Sequence, residues 1–333
     1  MKTKEKTTNI AVLGAGLWGA VLANHLAREG RPVRLWEFFK DLARNLQHSR
    51  KHPHIPGWTL SPSVRVSSDL GEVASDAELI VSVLPSAHVR TTIRALRQVL
   101  GSRASRVWVI NASKGVEPQT LRTLGDVIGE ELPKAKGRIL TMSGPSFARE
   151  VARGVPTALV LAGPKTPVAE RWRRLLDEAP LRVEWSSDRK GVELGGSLKN
   201  VLAIACGIAD GLKAGANTRA ALMTQGLSEM ARLMRACGGK SETAYGLAGI
   251  GDLILTGTST ESRNHTLGEA LGSGKSLAEA LRDIPTVTEG VESALSAHQL
   301  IRAKRLDCPL FESIWRVLYE AAPAESVLRA MRF

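Results

Sequence analysis

The stretch NIAVLGAGLWGAVLANHLAREG, Asn9 to Gly30, decides how the first half of the chain is read. A short apolar run ends at Gly14, and Gly14, Gly16 and Gly19 then open a helical pattern that closes near Gly30. G-x-G-x-x-G alone is weak evidence, but between a strand and a helix it has a mechanism. Gly14 makes the tight turn, Gly16 lets backbone approach a pyrophosphate, and Gly19 lets helix pack on strand. The helix N-terminus supplies unpaired N–H groups and the positive end of its dipole. Leu17 and Trp18, between the last two glycines, are counted with the cofactor-binding loop.

The next strand is PVRLWEF, and Glu37 stands 18 residues after Gly19, where an acid meets the adenosine ribose hydroxyls. Phe38 and Phe39 follow and carry no charge to neutralise the extra phosphate of NADP, so the site reads as favouring NAD, with NADP the alternative. The further apolar runs LIVSVLP, VWVINASKG, ILTMSGPSFA and ALVLAG are spaced as in an open α/β sheet. Ligands bind outside the carboxyl ends of such strands, which brings forward Pro85, Lys114 and the SGPSFA loop. Ser86 and His88 read as turn formers, and His52 and His54 as a solvated loop. No group has metal-ligand spacing, so no metal is expected.

After RVEWSSDRKG the pattern turns helical, which sets a boundary near Asp188: residues 1–188 form a Rossmann-like doubly wound domain and 189–333 an all-α domain. In the helix expected from Gly191, Gly196, Asn200, Ala203 and Gly207 share one face almost free of side-chain bulk. Another backbone or a flat ligand could approach there, with Lys199 and Asn200 beside it. The residues leave both readings open. Asp252 falls in the glycine-rich turn of GLAGIGDLILT, and a Thr/Ser-rich loop holding Thr256 and Ser262 leads to Arg263 and Asn264. Arginine offers a planar fork matched to phosphate, and the hydroxyl and amide groups can serve the remaining oxygens.

Composition narrows the classes. The 333 residues are 43% hydrophobic and 23% charged, as in ordinary globular proteins, and are enough for two domains. No apolar run nears the roughly 18 residues of a membrane span, and the charged N-terminus lacks a cleavage pattern, so a cytoplasmic protein without stable membrane insertion is expected. Cys206, Cys237 and Cys308 are scattered and odd in number, as reduced thiols would be. The net charge of +12 is dispersed along the chain, with only seven Trp, five Phe and two Tyr for base stacking; it reads as a basic surface, not a nucleic-acid site.

The motifs GAGLWG, NASKG, SGPSFA, GVELGGSLKN, GIGDLILT, SRN and VTEGVES occur in this order from about residue 9 to the C-terminal helices. In that order they resemble the NAD(P)-dependent glycerol-3-phosphate dehydrogenases of bacterial type. The resemblance implies a Rossmann domain followed by an all-helical domain, a homodimer, and interconversion of dihydroxyacetone phosphate and sn-glycerol 3-phosphate for glycerophospholipid synthesis. By motif it implies Lys199 as proton donor and acceptor, Lys114 as a substrate-binding lysine that polarises the carbonyl, and Asn200 and Asp252 as orienting groups. Gly144 and Ser146 resemble the substrate loop, and Ala148 the adjacent cofactor contact. Thr256, Ser262, Arg263 and Asn264 would receive substrate, Arg263 also touching cofactor. Val287 and Glu289 resemble distal cofactor contacts. Two departures stand out: EFF where many members are basic, and PSAHV in place of PSHA.

Overall fold

The computed structural model describes residues 8–284 and 288–332. Two compact units result. The first holds the chain through Ser113, Leu124–Met142 and Ser146–Ser187; the second holds Lys114–Thr123, Ser143–Pro145 and the chain from Asp188 onward.

The first unit is built on eight strands: β1 (Ile10–Leu13), β2 (Val33–Trp36), β3 (Val64–Ser67), β4 (Leu79–Ser82), β5 (Trp108–Asn111), β8 (Ile139–Ser143), β9 (Thr157–Ala162) and β10 (Leu181–Ser186). A two-stranded hairpin, β6 (Val116–Glu117) and β7 (Arg122–Thr123), lies between β5 and β8 in sequence. The sheet order is β10-β9-β8-β5-β4-β1-β2-β3, and the registered pairs are parallel. Parallel strands covered on both faces bury both sets of alternating side chains. In β1, Ile10 and Val12 join one apolar cluster, while Ala11 and Leu13 join the cluster on the opposite face. This is the doubly wound sheet expected from the sequence; β3 and β10 are strands that its apolar runs left unmarked.

The chain reverses its winding between β1 and β4, which are neighbours. There the glycine loop forms. Gly14 has φ +105, and a β-carbon on it would lie 2.6 Å from the Val83 carbonyl oxygen, just past β4. A β-carbon on Gly19, in the helix Leu17–Leu26, would fall 1.8 Å from the Gly14 oxygen.

The second unit is helical, with the β6–β7 hairpin as an excursion from the earlier sequence. Ser296 Oγ donates to the Val116 carbonyl at 2.9 Å and ties the hairpin to the helix Glu289–Lys304. At the centre runs the helix Arg189–Gly211, two residues ahead of its expected start because the Asp188 carboxylate caps it by accepting Gly191 N–H at 3.0 Å. Its mean hydropathy reaches 1.3 over an 18-residue window, the composition of a membrane span, and that window is wholly buried inside the protein. Core burial therefore accounts for its apolarity.

The small-residue face has a structural occupant. β-carbons on Gly207 and Gly211 would lie 2.0 and 2.3 Å from the His265 and Glu269 carbonyl oxygens of the helix Arg263–Gly272. Reciprocally, β-carbons on Gly268 and Gly272 would lie 2.1 and 2.3 Å from the oxygens of Ile204 and Ile208. Four glycines let two helices touch backbone to backbone, so at Gly207 the open face admits a helix and not a flat ligand.

Gly207→Ala should lower unfolding stability by about 3 kcal/mol, the upper end for overpacking, since backbone on the facing helix cannot step aside. Gly16→Ala should cost under about 1 kcal/mol, because its φ of −64° suits alanine and nothing lies within 4 Å of its missing β-carbon. Denaturant titration of both variants by circular dichroism checks the pair; equal midpoints would mean that the helix contact has room to spare.

Candidate active site

A polar cluster sits inside the helical unit. Lys199 lies mid-helix and is only 6% exposed, and Asp252 is 1% exposed. Lys199 Nζ donates to Asp252 Oδ1 at 2.9 Å and to Thr256 Oγ1 at 2.6 Å. Lys114 Nζ, less deeply set, donates to the other carboxylate oxygen at 2.5 Å. One carboxylate thus serves two ammonium groups. Thr256 Oγ1 donates its own hydrogen bond to the Asp252 carbonyl at 2.6 Å, which leaves its lone pairs for Lys199.

Local structure differs here from the turn and loop expected. A π-helical turn, Leu247–Gly251, runs directly into the short helix Asp252–Gly257. Asp252 is therefore the first residue of a helix, and Thr256 sits one turn later on the same face instead of in a loop. The i, i+4 spacing lets both side chains reach one lysine.

The electrostatics follow from burial. Desolvation lowers the Lys199 pKa from 10.5 to about 8; Asp252 opposes that shift and Lys114 adds to it. For Asp252, burial pushes the carboxyl up, but Lys114 and Lys199 outweigh it and hold it below the usual carboxylate range. Burial raises the Glu289 carboxyl against the pull of Arg263, Lys114 and Lys199. The result is an ammonium whose proton is unusually easy to release, fixed beside a permanent anion.

Next to it runs an amide relay. Asn264 Nδ2 donates to Asn200 Oδ1 at 3.0 Å, Asn264 Oδ1 accepts Gly290 N–H at 2.9 Å, and both side chains are buried. Asn200 is thereby fixed one residue from Lys199. Ser262 caps the helix Arg263–Gly272 by accepting His265 N–H at 3.2 Å, and Arg263 is exposed at that helix's first position. Gly144 is buried with φ +137. Ser143, the first residue of the SGPSFA loop, has a buried Oγ with no hydrogen-bond partner among the described residues. It lies 2.8 Å from where a Gly196 β-carbon would be, with the Lys114 stem at 3.6 Å from the same point. A side chain on Gly196 would fill this space. Only the fold could reveal it, because Ser143, Lys114 and Gly196 are distant in sequence. Val287 lies outside the described residues.

The remaining candidates belong to the sheet unit. Gly16 N-caps the helix Leu17–Leu26 without any side-chain cap, and no acidic residue occupies the first turn, where Leu17 and Trp18 stand. Uncapped N–H groups with open space over Gly16 fit a dinucleotide pyrophosphate. Gly14 N–H donates to the Trp36 carbonyl at 3.0 Å, which brings the end of β2 and Glu37 beside the loop. Glu37 Oε1 accepts Phe39 N–H at 3.1 Å, and Phe38 is 69% exposed, edge-on to Trp36. Arg34, the nearest arginine in sequence, is held by Asp76. Pro85 follows β4, with Leu84 N–H bonded to Ser113 Oγ at 2.8 Å. Ser146 precedes and Ala148 begins the helix Ala148–Ala152.

The comparisons with known proteins agree along the chain. The family described as NAD-dependent glycerol-3-phosphate dehydrogenase matches with its N-terminal model over residues 9–169 and its C-terminal model over 188–329. The glycerol-3-phosphate dehydrogenase (NAD(P)+) of Geobacter metallireducens is 45% identical over 325 residues, 97% of this chain and 96% of that protein. The Parvibaculum lavamentivorans protein of the same name is 42% identical, with 97% and 95% covered. The crystal structure of glycerol-3-phosphate dehydrogenase from Coxiella burnetii superposes with a TM-score of 0.91 at 36% identity, covering 97% of this chain and 98% of that one. A 2-dehydropantoate 2-reductase from Methylococcus capsulatus, at 12% identity and a TM-score of 0.60 over 98% of each chain, shares the fold alone. With both halves matched, the chain belongs to the NAD-dependent glycerol-3-phosphate dehydrogenase family.

Proposed function

We propose that the protein catalyses the reversible reduction of dihydroxyacetone phosphate to sn-glycerol 3-phosphate, with Lys199 moving the proton. The observation that carries this reading is the buried Lys199 ammonium bonded to Asp252 and Thr256, its pKa lowered to about 8. A bound nicotinamide dinucleotide supplies the hydride. Lys199 Nζ gives its proton to the carbonyl oxygen as that oxygen gains charge, and takes it back from the hydroxyl in the reverse direction. Lys114 polarises the same oxygen. Asp252 keeps both ammonium groups oriented and Asn200 steadies the adjoining face. Ser262, Arg263 and Asn264 receive the phosphate, whose binding anchors the reacting carbon.

On this reading the sheet unit, to about residue 188, binds the dinucleotide through Gly14, Gly16, Leu17, Trp18 and Gly19. Pro85, Ala148 and Glu289 serve as further contacts. Glu37 accepts from the ribose hydroxyls and repels an additional phosphate, which favours NAD over NADP. The product feeds glycerophospholipid synthesis, and the working form is a cytoplasmic homodimer.

Lys199→Ala should lower turnover at least about 100-fold, the usual worth of a positioned general acid, while NADH binding measured by fluorescence stays within error of the parent. Near-normal turnover would remove Lys199 from the mechanism. The pH profiles of the two directions should mirror each other. Reduction needs the ammonium, so its rate falls as pH rises through about 8; oxidation needs the free amine and climbs through the same range. Because Asp252 raises the Lys199 pKa, Asp252→Asn should move both limbs to lower pH. Limbs that stay in place would detach the profile from this pair. Initial rates with dihydroxyacetone phosphate should be higher with NADH than with NADPH at matched subsaturating concentrations, and Glu37→Ser should narrow the ratio. No rate with either cofactor, in protein that binds NADH, would overturn the substrate assignment.

A further inference from the structure

Near the end of the chain, the turn after the helix Glu289–Lys304, the helix Pro309–Tyr319 and the tail from Ser326 to Arg332 border a half-open cavity of about 830 Å³. Five arginines line it, namely Arg302, Arg305, Arg316, Arg329 and Arg332, against two carboxylates, Asp307 and Glu312. Both carboxylates are engaged: Asp307 pairs with Arg332 at 2.7 Å, and Glu312 with His298 at 3.0 Å. The other four arginines have no carboxylate within ion-pair distance among the described residues. Cationic groups gathered around a concavity repel one another and focus positive potential into it, which an anion would relieve.

The cavity is a built feature. Gln225 accepts Arg332 N–H at 2.8 Å, donates to the Ala330 carbonyl at 3.1 Å and donates to Glu229 Oε1 at 2.9 Å. Glu229, at 0% exposure, in turn accepts the Leu310 and Phe311 N–H groups at 3.1 and 3.2 Å. The tail wall and the helix wall are thus tied by one continuous hydrogen-bond chain. Ser326, in the same lining, carries an Oγ that is shielded from solvent and has no hydrogen-bond partner among the described residues.

The lining selects the ligand's chemistry. Guanidinium forks match phosphate oxygens two at a time, and four unpaired forks exceed what one phosphate needs. Ile301, Leu306 and Pro309 add an apolar side, and among the described residues no aromatic ring lines the space for a base to stack on. The volume is that of a small-molecule site, not of a flat face for a polymer or bilayer. We propose that this cavity is a second anion site, taking an aliphatic molecule that bears two or more phosphate groups. It shares no residue with the Lys114–Lys199–Asp252 cluster and stands independently of the dehydrogenase reading.

The test is calorimetric titration of the full chain with inorganic pyrophosphate, alongside hydrogen–deuterium exchange. Saturable binding should persist in Arg263→Ala, weaken about tenfold or more in Arg302→Gln/Arg316→Gln, and protect peptides within 302–332. Turnover of the double variant without pyrophosphate should match the parent. If that variant loses its native circular dichroism, Arg329→Gln replaces it, with the same weakening expected. Binding abolished by Arg263→Ala and untouched by the cavity substitutions would place the anion at the reaction site and overturn the proposal. So would the absence of saturable binding at millimolar pyrophosphate. Capture by phosphatidylglycerol vesicles through these arginines, without pyrophosphate binding, would make the feature a lipid-facing patch and overturn it equally.

Discussion

An ammonium group inside an apolar helical core needs an anion, and the Lys199–Asp252 pair is the constraint on which the helical unit turns. Desolvating a charge costs several kcal/mol, roughly 3–5 when a buried partner is removed, so the two must arrive together. The mid-helix position of Lys199 fixes one side, and the π-helical turn Leu247–Gly251 delivers Asp252 at the first position of the facing helix. Lys114 closes the arrangement by taking the second carboxylate oxygen. It belongs to the helical unit although its sequence neighbours follow β5. That excursion is what gives one carboxylate two cations.

Glycine does several different jobs in this protein, and the jobs separate by what surrounds the missing side chain. Gly14 and Gly19 are crowded by backbone, so they shape the loop after β1, whereas Gly16 faces open space and leaves N–H groups reachable. In the central helix, Gly207 and Gly211 meet carbonyls of a neighbouring helix, while Gly196 looks onto the Ser143 hydroxyl and the Lys114 stem. One apparent stripe therefore divides into a packing part and a polar part. The division falls where the neighbouring chain changes from a helix to the Ser143–Pro145 excursion.

Much of this was legible in the sequence. The glycine spacing after a strand marked the loop between β1 and the helix Leu17–Leu26, the apolar runs marked most of the sheet, and Lys199, Asn200, Asp252 and Asn264 stood out as polar groups in glycine-rich or apolar surroundings. Local patterns fall short where the cause is distant. Asp252 and Thr256 read as turn and loop because two glycines precede the aspartate, yet packing against the central helix continues them as helix. Ser143 was marked only as part of the SGPSFA loop, without its neighbours, and the arginines near the C-terminus looked like dispersed surface charge.

The sequence by itself determined the strand–loop–helix unit and which polar residue types stood in glycine-rich or apolar surroundings, because these rest on local spacing and periodicity. Only the tertiary structure decided that Lys114 and Lys199 share Asp252, that Asn264 holds Asn200, and that Gly207 makes room for a helix. Those outcomes depend on residues 53 to 138 positions apart meeting in a largely buried cluster, where distance and desolvation shift the charge equilibrium of the ionisable groups.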